Sequence, residues 1–362
     1  MNAQNLYLRF DADEAIGAGH LVRCKTLGKA AQALGYNVRW ISKHLATGLR
    51  TTLFTQRDEL IRIKPSLNWC EEAKWLINHE DLNGGIFILD VTTQYSLGHL
   101  DSFIEYLVAL KTLLRIVLID GLGVDSIVER ISERPHIAVV PYIGASVPKN
   151  DRIRDCLWLL GPQYFILQPE YNRLIIQRAS STPVADIAKK ILITFGGTDP
   201  KKSTLLAMDA VADIQYPDLE IRVVIGPGYS PELKRNTRKK MKESGLNCQL
   251  VEAPSNLAEL IFWCDLAISG SGLTKYELAA LGAPSILISI NQEHANVSAS
   301  FASTGASIHL GVARDVTRKE LSLKLKQLIQ SKQMRQSMRI SGCRLVDDGG
   351  AGRLLKVIKE SV

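Results

Sequence analysis

The chain contains no Cys-x-x-Cys pair, and its six cysteines, at 24, 70, 156, 248, 264 and 343, are dispersed through 362 residues. That pattern excludes a disulfide frame and a cysteine-based zinc site, and it reads as buried thiols of a reducing compartment. No run approaches the roughly 20 apolar residues that span a bilayer. The chain does not open on a basic segment followed by a continuous apolar stretch, so a cytoplasmic protein is expected. Aromatic residues are scarce, at 6%, and few lie near the densest basic run, Lys234-Arg235-Asn236-Thr237-Arg238-Lys239-Lys240. Its spacing suits a solvated helix face, and no nucleic-acid partner is expected. Disorder is excluded too, because 46% of residues are hydrophobic and 22% charged. The net charge of +7 is a modest excess suited to phosphorylated ligands or an anionic membrane surface.

What the chain does have is alternation. Strand-like runs at Leu6–Phe10, Asn37–Ser42, Leu60–Lys64, Gly85–Asp90, Arg115–Asp120 and His136–Val140 are separated by helical stretches such as Leu21–Leu34 and Gly98–Leu110. The segment Val147–Asp155 breaks the pattern, and Pro162 and Pro169 follow it. Alternation resumes at Lys190–Phe195, Leu219–Ile225, Asn247–Val251, Leu266–Ser269, Ser285–Ile290 and Ala306–Leu310. Such order predicts parallel sheets covered by helices on both faces, and the length suits about two domains of roughly 150 residues. The expected division is a domain over 1–150, a connecting segment over 151–185, a second domain over 186–345 and a terminal helix over 346–362. Helical spacing from Thr317 to Ile358 is interrupted at Asp347-Asp-Gly-Gly-Ala-Gly352, where one helix ends and another begins.

Three strand-to-helix turns carry chemistry. In the first, Ile16-Gly17-Ala-Gly19-His20-Leu-Val-Arg23 follows the run Leu6–Phe10. Two glycines permit a tight turn, N–H groups at a helix start attract anions, and His20 stands where such a ligand docks. No third glycine follows Gly19 at the dinucleotide spacing, so a nicotinamide cofactor is not expected. In the second, Ile191-Leu-Ile-Thr-Phe runs into Gly196-Gly197-Thr198-Asp199-Pro200, where a phosphate can approach the backbone while Thr198 and Asp199 cap the next helix. In the third, Ser269-Gly-Ser271-Gly272-Leu-Thr274-Lys-Tyr-Glu277 sets loop amides beside a helix N-terminus, and Glu277 lies one turn on, within reach of a ribose. Asn291, Gln292 and His294 cluster after the next strand as candidate substrate contacts.

Taken in order, Arg9-Phe-Asp11-Ala-Asp13, Ile16-Gly-x-Gly-His20-x-x-Arg23-Cys, Leu160-Gly-Pro-Gln-Tyr-x-x-Leu-x-Pro169-Glu-Tyr, Ile193-Thr-Phe-Gly-Gly-Thr-Asp-Pro200 and Ser269-Gly-Ser-Gly-x-Thr-x-x-Glu277 resemble the PseG-type nucleotide-sugar hydrolases of pseudaminic acid biosynthesis. The resemblance spans most of the chain and extends to SpsG-type spore-coat polysaccharide proteins and MurG-type glycosyltransferases. It implies an α/β, GT-B-like architecture, two Rossmann-like domains with parallel sheets facing a central cleft. It also implies a UDP-sugar held mainly by the second domain. One departure stands out, since the hydrolases show Asp-His-Tyr after the fourth strand whereas this chain has Asp90-Val91-Thr92, with its nearest tyrosine at Tyr95.

The resemblance carries His20 over as the catalytic imidazole, with Ser271, Gly272, Thr274 and Glu277 as nucleotide contacts. A neutral imidazole accepts a proton near neutral pH, so His20 is expected as general base. Asp11 or Asp13 orients it or binds sugar hydroxyls. Gly17, Gly19 and Arg23 join the substrate contacts, and Gly196, Gly197 and Thr198 the nucleotide contacts. Loop amides near Ser271 and Gly272 stabilise the departing nucleotide, so neither metal nor cofactor is expected. Three functions follow. The first is release of UDP to water. The second is inverting transfer to a sugar or lipid-linked acceptor in surface polysaccharide assembly, with peripheral membrane association at most. The third is silent binding of a sugar nucleotide.

Overall fold

The computed structural model describes residues 3–13, 19–46, 59–80, 82, 84–91, 99–120, 130–147, 156–181, 183–214, 216, 218–254 and 256–361. Gly17, Thr92 and Tyr95 lie outside the described residues. The backbone divides into two units, Met1–Gln168 with Gly349–Val362, and Pro169–Asp348.

The first unit is built on β1 (Asn5–Ala12), β2 (Asn37–Leu45), β3 (Glu59–Arg62), β4 (Gly85–Asp90), β5 (Leu114–Ile119), β6 (Ile137–Val140) and β7 (Leu157–Leu160). They form a seven-stranded sheet in the order β3-β2-β1-β4-β5-β6-β7, with every pairing parallel. Central strands covered on both faces need apolar residues throughout, and β4 is buried at all six positions. On one face, α2 (Trp69–His79) and α3 (Leu100–Lys111) bury Trp69, Phe103 and Tyr106 against Tyr7 and Phe87. On the other, α1 (Gly19–Ala33) and the chain's last helix, Gly350–Glu360, bury Leu21, Leu27, Leu354, Leu355 and Ile358 against Leu6, Leu8 and Phe10. Gly28 sets how closely α1 lies on the sheet, since a Cβ there would stand 2.1 Å from the Trp40 ring.

The expected connecting segment, 151–185, contains a strand that its sequence does not announce. Leu157–Leu160 pairs with β6 over four residues; the run is apolar throughout, but it is too short for its periodicity to mark a strand. The other strand expectations fall on β1 to β6 and on the six strands of the second unit.

That second sheet contains β8 (Lys190–Thr194), β9 (Glu220–Ile225), β10 (Cys248–Glu252), β11 (Leu266–Gly270), β12 (Ser285–Ser289) and β13 (Ser307–Val312), ordered β10-β9-β8-β11-β12-β13 and again parallel. Its helices are α4 (Pro169–Ser181), α5 (Ser203–Ala212), α6 (Pro231–Glu243), α7 (Leu257–Trp263), α8 (Thr274–Ala280), α9 (Gln292–Ala302), α10 (Arg318–Gln330) and α11 (Lys332–Leu345). Side chains of Ser230, Asn256, Asn291, Thr317 and Ser331 each accept an N–H at the start of a helix, which fixes where these helices begin. The terminal helix, α12 (Gly350–Glu360), returns to the first unit. No helix among the described residues is long and apolar enough to cross a membrane.

Each sheet has a place where strand order reverses, between β1 and β4 in the first and between β8 and β11 in the second. Connections leave such neighbouring strands in opposite directions, so a crevice opens beyond their carboxyl ends. The described start of α1 and the glycine-containing turns at Gly196 and Gly272 follow β1, β8 and β11, all of them strands that flank a reversal.

Candidate functional site

In the first unit the reversal brings the start of α1 against the last residue of β4. His20 Nδ1 lies 2.6 Å from Asp90 Oδ1. Arg23, one helical turn on, donates from Nε to Asp90 Oδ2 at 2.8 Å and from Nη2 to Oδ1 at 2.6 Å. Asp90 is fully buried, while the His20 side chain keeps 16% of its surface exposed. Burial alone would raise the Asp90 carboxyl, but the adjoining Arg23 and His20 outweigh it and hold it at about 2. Arg23, which burial alone would lower, is held above the usual guanidinium range by Asp90.

This pattern assigns the imidazole tautomer. Arg23 Nη2 also comes within 2.9 Å of His20 Nδ1, yet a guanidinium only donates. An ionised carboxylate 2.6 Å from Nδ1 requires a proton between them, so Nδ1–H donates to Asp90. Neutral His20 then carries its lone pair on Nε2, the arrangement a general base needs.

Asp11, expected beside His20, has other partners. Its Oδ1 accepts N–H from Lys43 at 2.9 Å and from His44 at 2.8 Å, and it meets Arg9 Nη1 at 2.8 Å. Asp11 thus ties the end of β1 to β2. Arg9 is fixed in turn by Glu72, through Nε at 2.7 Å and Nη2 at 3.2 Å, and Tyr106 Oη donates to the same carboxylate. Asp13 follows β1, partly exposed, and Gly19 opens α1. Arg23, expected at the substrate, instead braces Asp90.

In the second unit the loop after β8 leaves Gly196, Gly197 and Thr198 exposed, with Gly196 at φ +71°. Nothing lies within 4 Å of where a Cβ would stand on either glycine. From behind, Gly226 presses so closely that a Cβ there would come within 2.3 Å of the Gly196 and Gly197 carbonyl oxygens. Asp199 accepts N–H from Ser203 and Thr204, both at 2.8 Å, and so caps α5; burial raises its carboxyl against those two bonds.

After β11, the Ser271 hydroxyl is engaged inside the unit, 2.6 Å from Ser289 Oγ, which lies 2.9 Å from His309 Nε2. The Ser271 N–H donates to Ile288 O. The open part of this turn is therefore Gly272, where a Cβ would meet nothing within 4 Å, together with partly exposed Thr274. Glu277 is pushed up to about 7 by burial, against the hydroxyls of Tyr171 and Thr274, which favour its charged form.

Sequence reasoning missed Lys275 beside this turn. It is buried, donates to Ser298 Oγ at 3.2 Å, and burial lowers its ammonium to about 8. A lysine in a helical first turn carries no signal of its burial. After β12, Asn291 caps α9 through the His294 N–H at 2.9 Å, and Gln292 donates to Asn296 at 3.0 Å. Burial and the Lys275 charge lower His294. Among the described residues no group of three or more His, Cys, Asp or Glu side chains converges to hold a metal ion.

Comparison with known proteins gives this geometry a setting. Residues 191–343 match the family profile described as the glycosyltransferase family 28 C-terminal domain. Over 219 residues, 59% of this chain and 60% of the relative, the sequence is 28% identical to the spore coat polysaccharide biosynthesis protein SpsG of Bacillus subtilis. The chain spans at most 60% of the length of the curated relatives it matches. Among solved structures, MurG of Acinetobacter baumannii superposes with a TM-score of 0.69 over 99% of both chains, at 14% identity. The UDP co-structure of S. aureus MnaA superposes with a TM-score of 0.61 over 98% of this chain and 96% of that one, at 13% identity. Residues 191–343 of the second unit thus resemble a glycosyltransferase family 28 C-terminal domain, and the chain is similar in sequence to SpsG and shares the two-domain GT-B fold of MurG.

Proposed function

We propose that this protein is a nucleotide-sugar enzyme that transfers a glycosyl group from a UDP-sugar to a hydroxyl acceptor in surface polysaccharide assembly. The match of residues 191–343 to a glycosyltransferase C-terminal domain carries the reading. The UDP bound to MnaA, a neighbour in fold, and the polysaccharide role in the name of SpsG support the donor and the setting.

In this reading the second unit holds the nucleotide. Gly196, Gly197, Thr198, Gly272 and Thr274 approach the diphosphate, and Glu277 accepts from ribose hydroxyls. Ser271 contributes as the post that fixes the turn, since its own donors are engaged within the unit. His20 Nε2 takes the proton of the acceptor hydroxyl as its oxygen attacks the anomeric carbon. The bond from that carbon to the diphosphate oxygen breaks, and UDP leaves with the electron pair. A single displacement inverts the anomeric configuration. Asp90 holds the imidazole in the basic tautomer and stabilises the imidazolium that forms.

The same dyad can activate water, so the hydrolase suggested by the motif order is the second reading. The family 28 match backs transfer better. Incubation with UDP-sugars, following UDP release with and without candidate acceptors, separates them. Release only with a sugar or lipid-linked hydroxyl supports transfer, release into buffer alone makes the enzyme a hydrolase, and binding without release makes it a silent binder.

A further inference from the structure

A cavity of about 460 Å³ lies in the second unit at the amino end of its sheet, away from the turns described above. Lys190 opens β8, Arg222 sits on β9, and Asp265 immediately precedes β11, whose other end leads into the Ser271 turn. The five residues of β11 put about 15 Å between the two regions. This volume falls within the range of small-molecule sites.

The charge of the lining is unbalanced. Arg178, Lys190, Arg222 and Arg339 face the cavity, against Glu259 and Asp265. Both carboxylates are engaged, and the Asp265 charge offsets only part of that of Arg178 and Arg339. Asp265 accepts N–H from Lys189 at 2.8 Å and Lys190 at 3.0 Å, and Glu259 pairs with Arg173. Arg178 is 7% exposed and donates from Nη2 to the carbonyls of Phe262 and Ile261 at 2.6 and 3.3 Å, which caps the end of α7. Its Nε is buried without a hydrogen-bond partner. Burial and the adjacent Arg339 charge press the Arg178 guanidinium down to about 10. Like charges held this close are costly, and an anion in the cavity would relieve their repulsion.

Two of the guanidinium groups are held against aromatic rings. Arg222 lies 4.0 Å over the Trp263 ring and Arg178 4.3 Å over Phe262. Arg178 Nη2 is committed to the α7 carbonyls, whereas a guanidinium held over a ring, as Arg222 is over Trp263, can present N–H groups to the oxygens of a phosphoryl group. We propose that this cavity is a second ligand site of the chain, one that binds a small phosphoryl-bearing molecule with two or more negative charges.

Trp263 makes the site observable, because the other four tryptophans, at 40, 69, 75 and 158, lie in the first unit. Titrating the full-length protein with inorganic pyrophosphate at constant ionic strength should change tryptophan fluorescence saturably, and Trp263→Phe should remove the change. Arg222→Gln and Lys190→Gln should each weaken binding roughly tenfold, the loss of one charge-assisted hydrogen bond. Affinity for UDP should stay unchanged in both. Arg178 is left intact because it caps α7. No saturable change at millimolar pyrophosphate, or wild-type titration in both variants, overturns the proposal. Tighter binding of citrate overturns the phosphoryl class, and UDP affinity falling in step with pyrophosphate affinity overturns the separateness of the site.

Discussion

His20, Asp90 and Arg23 form a unit whose parts differ in how far the sequence announces them. His20 stands out because an imidazole follows a glycine turn at a helix start. Asp90 is visible only as an acidic strand end, since its contact lies 70 positions from His20 and depends on β1 and β4 being neighbours. Under the proposed proton transfer to His20, His20→Ala should abolish turnover while UDP affinity, measured by calorimetry, stays within a few-fold. Asp90→Asn should lower kcat by roughly 10²–10⁴ by unseating the basic tautomer. The same substitution has a pH signature. The native carboxyl sits at about 2, below its ordinary 3.8, so its stabilisation is complete above about pH 4 and is lost as pH falls through 2. That contribution is about 2 kcal/mol, and denaturant melts of Asp90→Asn should lack this part of the acid slope. Glu277 has the opposite sign. Its carboxyl is raised from 4.5 to about 7, so its charge costs stability above pH 7 and costs nothing below about 4.5. Glu277→Gln should therefore raise Tm at pH 8, leave it unchanged at pH 4, and, under the proposed ribose contact, weaken UDP binding roughly tenfold.

Among the elements, the central strands were the most legible. β4 and β8 are nearly continuous apolar runs because helices cover both of their faces. β7 was not legible, since four apolar residues in a row do not distinguish a short edge strand from a helical turn. Strand order leaves no local trace either, although it decides which turns meet. The seating of the Gly196–Gly197 turn was also hidden, because it rests on Gly226 from a different loop. Gly226→Ala should drive a methyl into those two carbonyls and shift the turn. Overpacking of this kind costs about 1–3 kcal/mol, and the variant should lose UDP affinity while the fluorescence of Trp263 is retained. A full-affinity Gly226→Ala would separate this turn from nucleotide binding.

For the whole molecule, the alternation of strands and helices made two parallel-sheet units legible from the sequence. The destination of the last helix was not, because an amphipathic stripe does not say which sheet it will cover. α12 belongs to the first unit, where Leu354, Leu355 and Ile358 are fully buried in the core cluster that also holds Leu6, Leu8 and Phe10 of β1. Each such side chain contributes about 1.5–3 kcal/mol on burial. Ending the chain at Asp348 should therefore strip amide-exchange protection from β1, β2 and α1 while that of β8, β11 and β12 persists; equal loss in both units would contradict this division. The arrangement also sets a timetable for synthesis. When Gln168 leaves the ribosome, one layer of the first unit still lacks its closing helix, which is not made until all of residues 169–348 have been translated. At 5–20 residues per second the wait is on the order of ten seconds or more, during which the second unit can finish folding while the first keeps an apolar face uncovered. The amino-terminal half is thus the last to be completed, and nascent chains stalled before Leu354 are the ones that should call on chaperones.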